Sequence, residues 1–349
     1  MTKKWIVTIT MTLAATLLPV PSFSAENNFD WKEFLGQYDM LWDNDITADP
    51  VFPEGVFGKR HWGRTDGYYS GALMGNGLLG TNLYKLSDGV YRLNVGRSDV
   101  TEVRKPFNVY NSGRLPIGYF TFSTVGKVQD EKMRLSIYDA VTSGGLKTNA
   151  GRLDFRTYVH SERECIIFDT HAEGGETGWK LDFVPQKAIS PRYVFNSANA
   201  PKGYVNAEGK SNPDSYFHKD GDISFSIQAL AKDTTFTDIA RWYVVAWKTV
   251  RNGADSRTIA TVTQADKLAK AEAEAKAIIR NAFSATKEKL DSQHVAWWHN
   301  LYRNAAFLTF PDKNIERFWW FKYYKFASTA RPGKPIVDLQ GVWPTSDTP

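Results

Sequence analysis

The sequence predicts a large antiparallel β-sandwich followed by α-helices, and two observations carry that prediction. Between about residues 60 and 250, short segments rich in β-branched and aromatic residues alternate with clusters of Gly, Asn, Asp and Pro. After Arg257 the composition changes to long stretches of Ala, Lys and Glu that contain neither Gly nor Pro. The first pattern is typical of strands joined by turns and the second of helices.

The first 25 residues are typical of a secretory signal peptide. Lys3 and Lys4 form a positive n-region, an apolar run covers residues 5–20, and the small-residue segment "PSFSA" predicts cleavage near Ser24 or Ala25. A membrane anchor is the alternative, but the apolar run is short and no stop-transfer flank follows it. We therefore expect an exported protein, periplasmic or extracellular, with no stable membrane anchor.

Charge and cysteine content exclude several kinds of partner and site. Net charge falls from +5 to +3 without the signal, because the segment carries two lysines and no acid, and so weak a charge predicts no nucleic-acid partner. Cys165 is the only cysteine, which excludes an internal disulfide and a cysteine-based metal site. It lies in the strand-like run "ECIIFDT" and is predicted to be a small buried hydrophobe. His294 and His299 are five residues apart, a poor spacing for a shared metal, so we predict packing roles and no metal site.

The β-region contains enough segments for two sheets. Many of them alternate apolar and polar residues, as half-buried antiparallel strands do. The predicted strands are "GVYRLNVG", "GYFTFSTVG", "MRLSIYDAVTSG", "LDFRTYVHS", "CIIFDTHA", "WKLDFVP", "DISFSIQAL" and "RWYVVAWKTV". Residues 196–215 are polar and rich in turn residues, which predicts a long surface loop.

The first helical stretch, residues 264–305, is predicted to form one long helix or two joined ones. Its apolar residues recur at approximate helical spacing, which predicts a buried stripe. That stripe is Leu268, Ala271, Ala275, Ile278, Ala282, Ala285 and Val295.

A second helix is predicted to begin at Asp312, a suitable N-cap after Pro311, and to run to Arg331 before Pro332. It is aromatic nearly all round, and a helix without a polar face has to be buried on most sides. We therefore predict that residues from about 264 onward begin a helical domain whose remainder lies outside this chain. The alternative is that both helices pack on the sandwich and the chain is complete.

These patterns divide the chain into four predicted parts. Residues 1–25 form the signal peptide, 26–258 the β-sandwich domain, 259–310 a helical linker, and 311–349 the start of an incomplete helical catalytic domain.

Three polar stretches are candidates for chemistry. Gly75-Asn76-Gly77 is either a ligand-cradling loop or a hairpin turn, and Asn-Gly between apolar runs favours the turn because both residues accept positive φ. Residues 93–106 crowd Arg97, Asp99, Glu102 and Arg104 after a strand. They form either local ion pairs or a loop that presents charged groups to a polyhydroxylated ligand.

The third stretch is "DLQGVWP", residues 338–344. A Trp near Gln and Asp is suited to stacking on a sugar ring, and equally to anchoring a packed loop. From these stretches the predicted substrate-binding residues are Arg97, Asp99, Glu102, Gln340 and Trp343.

Taken in order, several segments resemble glycoside hydrolase family 95 and its relatives, which include α-L-fucosidases and α-L-galactosidases. They are "GALMGNGLLGTNLY", "YRLNVGRSDVTEVR", "GRLPIGYFTF", "QHVAWWHNLYRNAAF" and "ARPGKPIVDLQGVWPTSDTP". The family typically shows "P-x-G-N-G-x-x-G", then "L-N-x-D-x-x-W", then "R-P-G…L-Q-G-x-W". The resemblance covers residues 65–125 and 290–349, and between them it is only a run of strands.

The resemblance implies an N-terminal sandwich, a helical linker and an (α/α)6 barrel, with exo-acting, inverting hydrolysis of an oligosaccharide or polysaccharide and no cofactor. One carboxylic acid protonates the leaving oxygen while water is activated on the opposite face of the sugar. The family's acid and base follow "L-Q-G-x-W", so they would lie beyond Pro349 and no catalytic residue is assigned. This chain alone is expected to be inactive.

The chain also departs from the family. Asp99 is kept in "SDVTEVR", but the tryptophan of "D-T-L-W-S-G" is not, and Pro344 follows Trp343 where many members have asparagine. These differences leave the sugar open. A non-catalytic carbohydrate-binding sandwich and a glycoside phosphorylase are the alternative functions.

Overall fold

The computed structural model describes residues 29–43, 46, 71–102, 104, 113–192, 212–231, 241–336 and 341–343. One compact unit of the chain begins at Trp31 and contains all the helices and strands that follow. The predicted signal peptide and most of the predicted surface loop at 196–215 lie outside the described residues, as does Gln340.

The described strands form two antiparallel sheets. They are β1 (Met40–Asp43), β2 (Ala72–Gly75), β3 (Leu79–Ser87), β4 (Val90–Arg97), β5 (Gly118–Ser123), β6 (Val128–Ser136), β7 (Val141–Thr148), β8 (Gly151–Val159), β9 (Ile166–Gly174), β10 (Lys180–Pro185), β11 (Tyr216–Asp220), β12 (Ile223–Ala229), β13 (Trp242–Asn252) and β14 (Asp255–Ala265). The larger sheet has the order β1-β6-β7-β8-β9-β14-β13-β12-β11 and the smaller one β10-β5-β4-β3-β2.

The two sheets face each other across one aromatic core. Phe122 of the smaller sheet lies 5.1 Å from Phe168 and 5.3 Å from Phe155 of the larger sheet, measured between ring centroids. It also stacks on Tyr91 of the neighbouring strand at 4.9 Å. Along β5, buried residues alternate with partly exposed ones, as is typical of sandwich strands. The predicted β-sandwich is confirmed.

Two predicted strand details differ from the structure. The segment "MRLSIYDAVTSG", predicted as one strand, turns back on itself between β6 and β7, and Ala140 in that turn has a φ of 53°. Strand β14 continues to Ala265, past position 258 at which the sequence placed the end of the sandwich. Its Thr, Ile and Val residues continue past position 258, and the Ala-, Lys- and Glu-rich composition begins only after Ala265.

The helices are α1 (Trp31–Gly36), α2 (Leu268–Phe283), α3 (Lys287–Arg303) and α4 (Lys313–Thr329). The first predicted helical stretch is therefore two helices. The break lies before Thr286, whose side chain caps α3 by accepting from the Lys289 backbone N–H at 3.2 Å. Asp312 caps α4 as predicted, accepting from the Asn314 N–H at 2.8 Å.

Helices α2 and α3 lie on the outer face of the larger sheet. The predicted stripe is confirmed at Ala271, Ala275 and Ala282, whereas Ile279 rather than Ile278 is fully buried. On α3 the buried residues are Leu290, His294, Trp298 and Tyr302, so Val295 is not the centre of its buried face.

The turn between β6 and β7 fastens α3 to the sandwich. His294 accepts from the Ser161 N–H at its Nδ1 and contacts the Ala140 carbonyl oxygen from Nε2 at 3.2 Å. His299 pairs with Asp139 at 2.7 Å. The packing roles predicted for both histidines match these contacts. Within the described residues, no group of three or more His, Cys, Asp or Glu side chains is arranged to hold a metal.

Within the described residues, helix α4 is buried on one side only, and the sequence prediction placed the partner of its remaining surface outside this chain. Trp320 is fully buried against Trp31 and Phe34 of α1 and Tyr302 of α3, and Tyr324 is fully buried with its hydroxyl donating to the Leu73 carbonyl oxygen of β2. Phe318 and Phe326 are 63% and 64% exposed. Cys165 is buried as predicted, and burial raises the pKa of its thiol to about 12. No helix in the described parts of the chain has the length and apolarity needed to span a bilayer.

Candidate functional site at the junction of the sandwich and helix α4

The Gly75-Asn76-Gly77 segment forms the turn between β2 and β3, as the sequence favoured. The turn is not the two-residue type with two positive φ angles, because only Gly77 has one, at 86°. Instead the Asn76 side chain closes it, since its Oδ1 accepts from the N–H groups of Leu78 and Leu79 at 3.1 and 2.8 Å.

Asn76 also fastens this turn to the larger sheet. Its Nδ2 donates to the carbonyl oxygens of His160 and Arg163 at 3.0 and 3.1 Å, so both ends of the amide are occupied in a side chain that is only 2% exposed. A buried amide with four partners is a structural support. The turn is therefore rigid, and its neighbours are fixed relative to it.

The glycines around Asn76 allow the end of α4 and the segment after it to approach the sheet. A Cβ on Gly80 would lie 2.5 Å from the Val342 carbonyl oxygen, and one on Gly75 would lie 2.5 Å from the Ser328 carbonyl oxygen. The Gly77 N–H donates to that same Ser328 oxygen at 2.9 Å. These are close backbone approaches that a side chain would prevent.

Arg331 joins three parts of this region. Its guanidinium donates to the carbonyl oxygens of Ala327, Ser161 and Gly75 at 2.8, 2.6 and 3.3 Å, and it lies over the Trp297 ring at 3.6 Å from the centroid. The planar fork of arginine suits such simultaneous donation and stacking. From the sequence, Arg331 is predicted only to end the second helix, although it is the first residue of the "RPG" motif.

Trp343 is placed beside the same turn. It is 5% exposed, and its indole Nε1–H donates to the Met74 carbonyl oxygen at 2.7 Å. The ammonium of Lys325 on α4 lies 5.5 Å from the centre of its ring. Burial, with a smaller contribution from Lys322, lowers the pKa of Lys325 to about 8. The burial of the indole and its bond to Met74 are the contacts of a loop anchor, one of the two roles predicted for Trp343.

The predicted charged loop lies against the other side of the turn. Ser98 donates from its N–H to the Leu78 carbonyl oxygen at 2.8 Å and from Oγ to the Gly77 carbonyl oxygen at 3.2 Å. The structure therefore brings the Arg97–Glu102 loop, Arg331 and residues 341–343 to the same turn. We call this region, residues 74–80, 97–102, 328–331 and 341–343, the junction.

The charged groups of the loop pair with each other. Arg97 contacts both oxygens of Asp99 at 2.6 and 3.0 Å, and its Nη1 donates to the Val262 carbonyl oxygen of the larger sheet at 2.5 Å. Glu102 is buried and accepts from the backbone N–H and the guanidinium of Arg104. These contacts are local ion pairs, one of the two interpretations that the sequence allowed for this loop. The bond from Arg97 to Val262 also links the smaller sheet to the larger one.

Comparisons with known proteins show the fold. No protein-family model matches the chain, and no curated protein matches its sequence. Among solved structures, a putative kojibiose phosphorylase from the human microbiome is similar, with a TM-score of 0.52 and 11% identity. The similarity covers 77% of this chain and 38% of the other. The chain thus shares its fold with part of this neighbour and spans about two fifths of the neighbour's length.

Proposed function

We propose that the chain is the sandwich and linker portion of an exported enzyme that cleaves glycosidic bonds. The observation that carries the proposal is the fold, which over 77% of the chain is similar to that of a putative kojibiose phosphorylase. The motifs that resemble family 95 give a second line of support, because Gly75 and Gly80 of the "GNGLLG" turn lie against Val342 of the last motif.

The reaction we favour is inverting hydrolysis at the end of a sugar chain, with α-L-fucosides or α-L-galactosides as substrates. An acid donates a proton to the leaving oxygen as the anomeric carbon–oxygen bond breaks, and a water oxygen bonds to the anomeric carbon from the opposite face after losing its proton to a base. The sugar assignment rests on the motif resemblance alone.

We assign the acid and the base to sequence beyond this chain. Asp99 and Glu102, the carboxylates of the junction loop, are each paired with an arginine inside the sandwich. Two aromatic side chains of α4, Phe318 and Phe326, face away from the sandwich, which is consistent with further protein packing there. In this proposal the junction holds α4 in place, and the substrate contacts predicted for Arg97, Asp99, Glu102, Gln340 and Trp343 remain predictions.

A phosphorylase is the second candidate, and the similarity to a putative kojibiose phosphorylase favours it. Phosphate oxygen would then replace water as the group that bonds to the anomeric carbon, and the product would be a sugar phosphate. The sandwich and junction would serve both reactions equally, because neither step is assigned to a described residue.

The test is to express the reading frame extended past Pro349 and to assay it on aryl α-L-fucosides, aryl α-L-galactosides and kojibiose, with and without phosphate. Release of free sugar without phosphate supports hydrolysis, and a strict need for phosphate supports the second candidate. An extended protein that is folded but cleaves none of these would contradict the proposal, as would robust turnover by residues 26–349 alone. N-terminal sequencing of the protein recovered outside the cytoplasm tests the predicted export.

A further inference from the structure

A hollow of about 260 Å³ opens at one edge of the larger sheet, on strands β1, β6 and β7. Leu41 and Asp43 of β1 form one side, Lys132 and Arg134 of β6 lie beside them, and Ser143, Gly144 and Gly145 of β7 complete it. It shares no residue with the junction. Its volume is just below the roughly 300 Å³ at which ligand pockets usually begin, which suits one sugar unit rather than a buried oligosaccharide.

The register of the strands explains the hollow. Leu41 is paired with Arg134 and Asp43 with Lys132, and across the next ladder Lys132 is paired with Gly145. These residues alternate onto the outer face of the sheet, where Gly145 supplies no side chain. Beyond it, Gly145 is paired with Asp154 of β8. Because Gly145 has no side chain, the ends of the Arg152 and Asp154 side chains lie over its backbone, 2.5 Å from the position that a Cβ would take, and bound this side of the hollow.

The charges around the hollow are already balanced. Lys132 pairs with Asp43 at 3.3 Å, Arg134 with Asp39, and Arg152 with Asp154 at 2.6 Å. An ionic ligand of either sign would have to compete with one of these pairs. A neutral polyhydroxylated ligand would not, because its hydroxyl groups can accept from the cations and donate to the carboxylates at the same time.

Leu41 supplies the apolar side of the hollow. Its side chain is 71% exposed on an edge strand, where polar or charged residues are the usual protection against pairing with another chain. An exposed apolar side chain next to hydrogen-bonding groups matches the two-sided chemistry of a pyranose, which presents C–H bonds on its face and hydroxyls at its edge.

We propose that this hollow binds one unit of a neutral saccharide chain, as a secondary site that holds polymeric or oligomeric substrate on the sandwich. The choice of a saccharide rests on the proposed function. The position and lining of the hollow follow from the residues of β1, β6 and β7 and do not depend on that function.

The test uses calorimetry on residues 26–349 with kojibiose and a neutral fucosylated oligosaccharide, together with affinity gel electrophoresis in a neutral fucosylated polysaccharide. Gly145→Leu adds a bulky side chain to the lining of the hollow and displaces the Arg152 and Asp154 side chains. The nearest atoms to a Cβ at this position are the ends of the exposed Arg152 and Asp154 side chains, which can move. Leu41→Ala removes the apolar side. Lys270→Ala is the control, because Lys270 is an exposed, ion-paired lysine on α2.

We expect saturable binding by the unmodified chain, at least tenfold weaker binding by Gly145→Leu and Leu41→Ala, and no change in Lys270→Ala, with melting temperatures showing that all variants are folded. Equal affinity in all four proteins would overturn the inference. So would an absence of binding to every probe, or a preference for an anionic polysaccharide such as polygalacturonate.

Failure of this inference and failure of the proposed function are distinguishable. Cleavage of small aryl glycosides by the extended protein, unaltered by Gly145→Leu, would leave the proposed function standing whatever the binding result. Conversely, hollow-dependent saccharide binding by an extended protein that cleaves no glycoside would support the site and contradict the enzymatic proposal.

Discussion

The indole Nε1–H of Trp343 donates to the backbone carbonyl oxygen of Met74 at 2.7 Å, across 269 positions of the sequence. This contact joins the last described segment of the chain to the first strand of the smaller sheet. It identifies the junction as a place where two separate sequence motifs act as one structural unit.

Replacing Trp343 with phenylalanine keeps an aromatic ring in the pocket but removes the donor to Met74. A buried carbonyl oxygen that loses its partner costs about 1–3 kcal/mol, so we expect a loss of that size in the free energy of unfolding measured in urea. Trp319→Phe is the matched control because Trp319 is partly exposed. Equal destabilisation by both changes would show that the Trp343–Met74 bond contributes nothing specific.

Asn76→Ala leaves four buried backbone groups without their side-chain partner, namely the N–H groups of Leu78 and Leu79 and the carbonyl oxygens of His160 and Arg163. We expect a loss of at least about 2 kcal/mol of folding free energy, measured by chemical denaturation. Asn304→Ala serves as the exposed control. A selective loss of saccharide affinity at an unchanged melting temperature would instead show that Asn76 contacts ligand.

Gly80→Ala tests the close approach of Val342 to the sheet. The added methyl group would lie 2.5 Å from the Val342 carbonyl oxygen and 2.2 Å from its Cγ2, so the segment has to move. Overpacking of this kind costs about 1–3 kcal/mol, and calorimetry should show a lower melting temperature. At Gly36 the nearest atom to a Cβ is 3.6 Å away, so Gly36→Ala is the control. An unchanged melting temperature for Gly80→Ala would contradict the described packing.

The free energy of unfolding is expected to depend on pH through the carboxyl group of Glu316. This buried carboxylate on α4 accepts from Lys313 Nζ at 2.7 Å, from the Tyr38 hydroxyl and from the Phe310 N–H at 2.6 Å. The contact with Lys313, followed by that with Tyr38, lowers the pKa of Glu316 from 4.5 to about 2. Because the folded pKa is the lower one, the stabilisation is present above pH 4.5 and is lost as pH falls towards 2.

The measurement compares the free energy of unfolding at pH 7 and at pH 3 for the unmodified chain and for Glu316→Gln. We expect the variant to be less stable at pH 7 and the difference between the two proteins to shrink at pH 3. The exposed Glu288→Gln should show neither effect. A difference that stays constant between the two pH values would mean that Glu316 is not the titrating group.

Much of the fold follows from interactions between neighbours in sequence. The hairpin at Gly75-Asn76-Gly77, the cap at Asp312 and the alternation along strands such as β5 each depend on residues a few positions apart, which is why local patterns predicted them. The division between β6 and β7 was missed because Ala140 adopts a positive φ that alanine rarely accepts, and no glycine or asparagine stands at that position to signal it.

The sequence by itself determined the two kinds of secondary structure, their order, and which polar stretches were candidates for chemistry. Only the tertiary structure decided which contacts those stretches make within the protein. Arg97 pairs with Asp99, and Glu102 pairs with Arg104. Arg331 and Trp343 donate to the carbonyl oxygens of Gly75 and Met74, at the "GNG" turn. The partners of Arg331 and Trp343 are distant in sequence, and the choice between ion pair and ligand contact depends on burial. Local sequence patterns show neither these distant partners nor the degree of burial, because both are set only when the two sheets and α4 pack together.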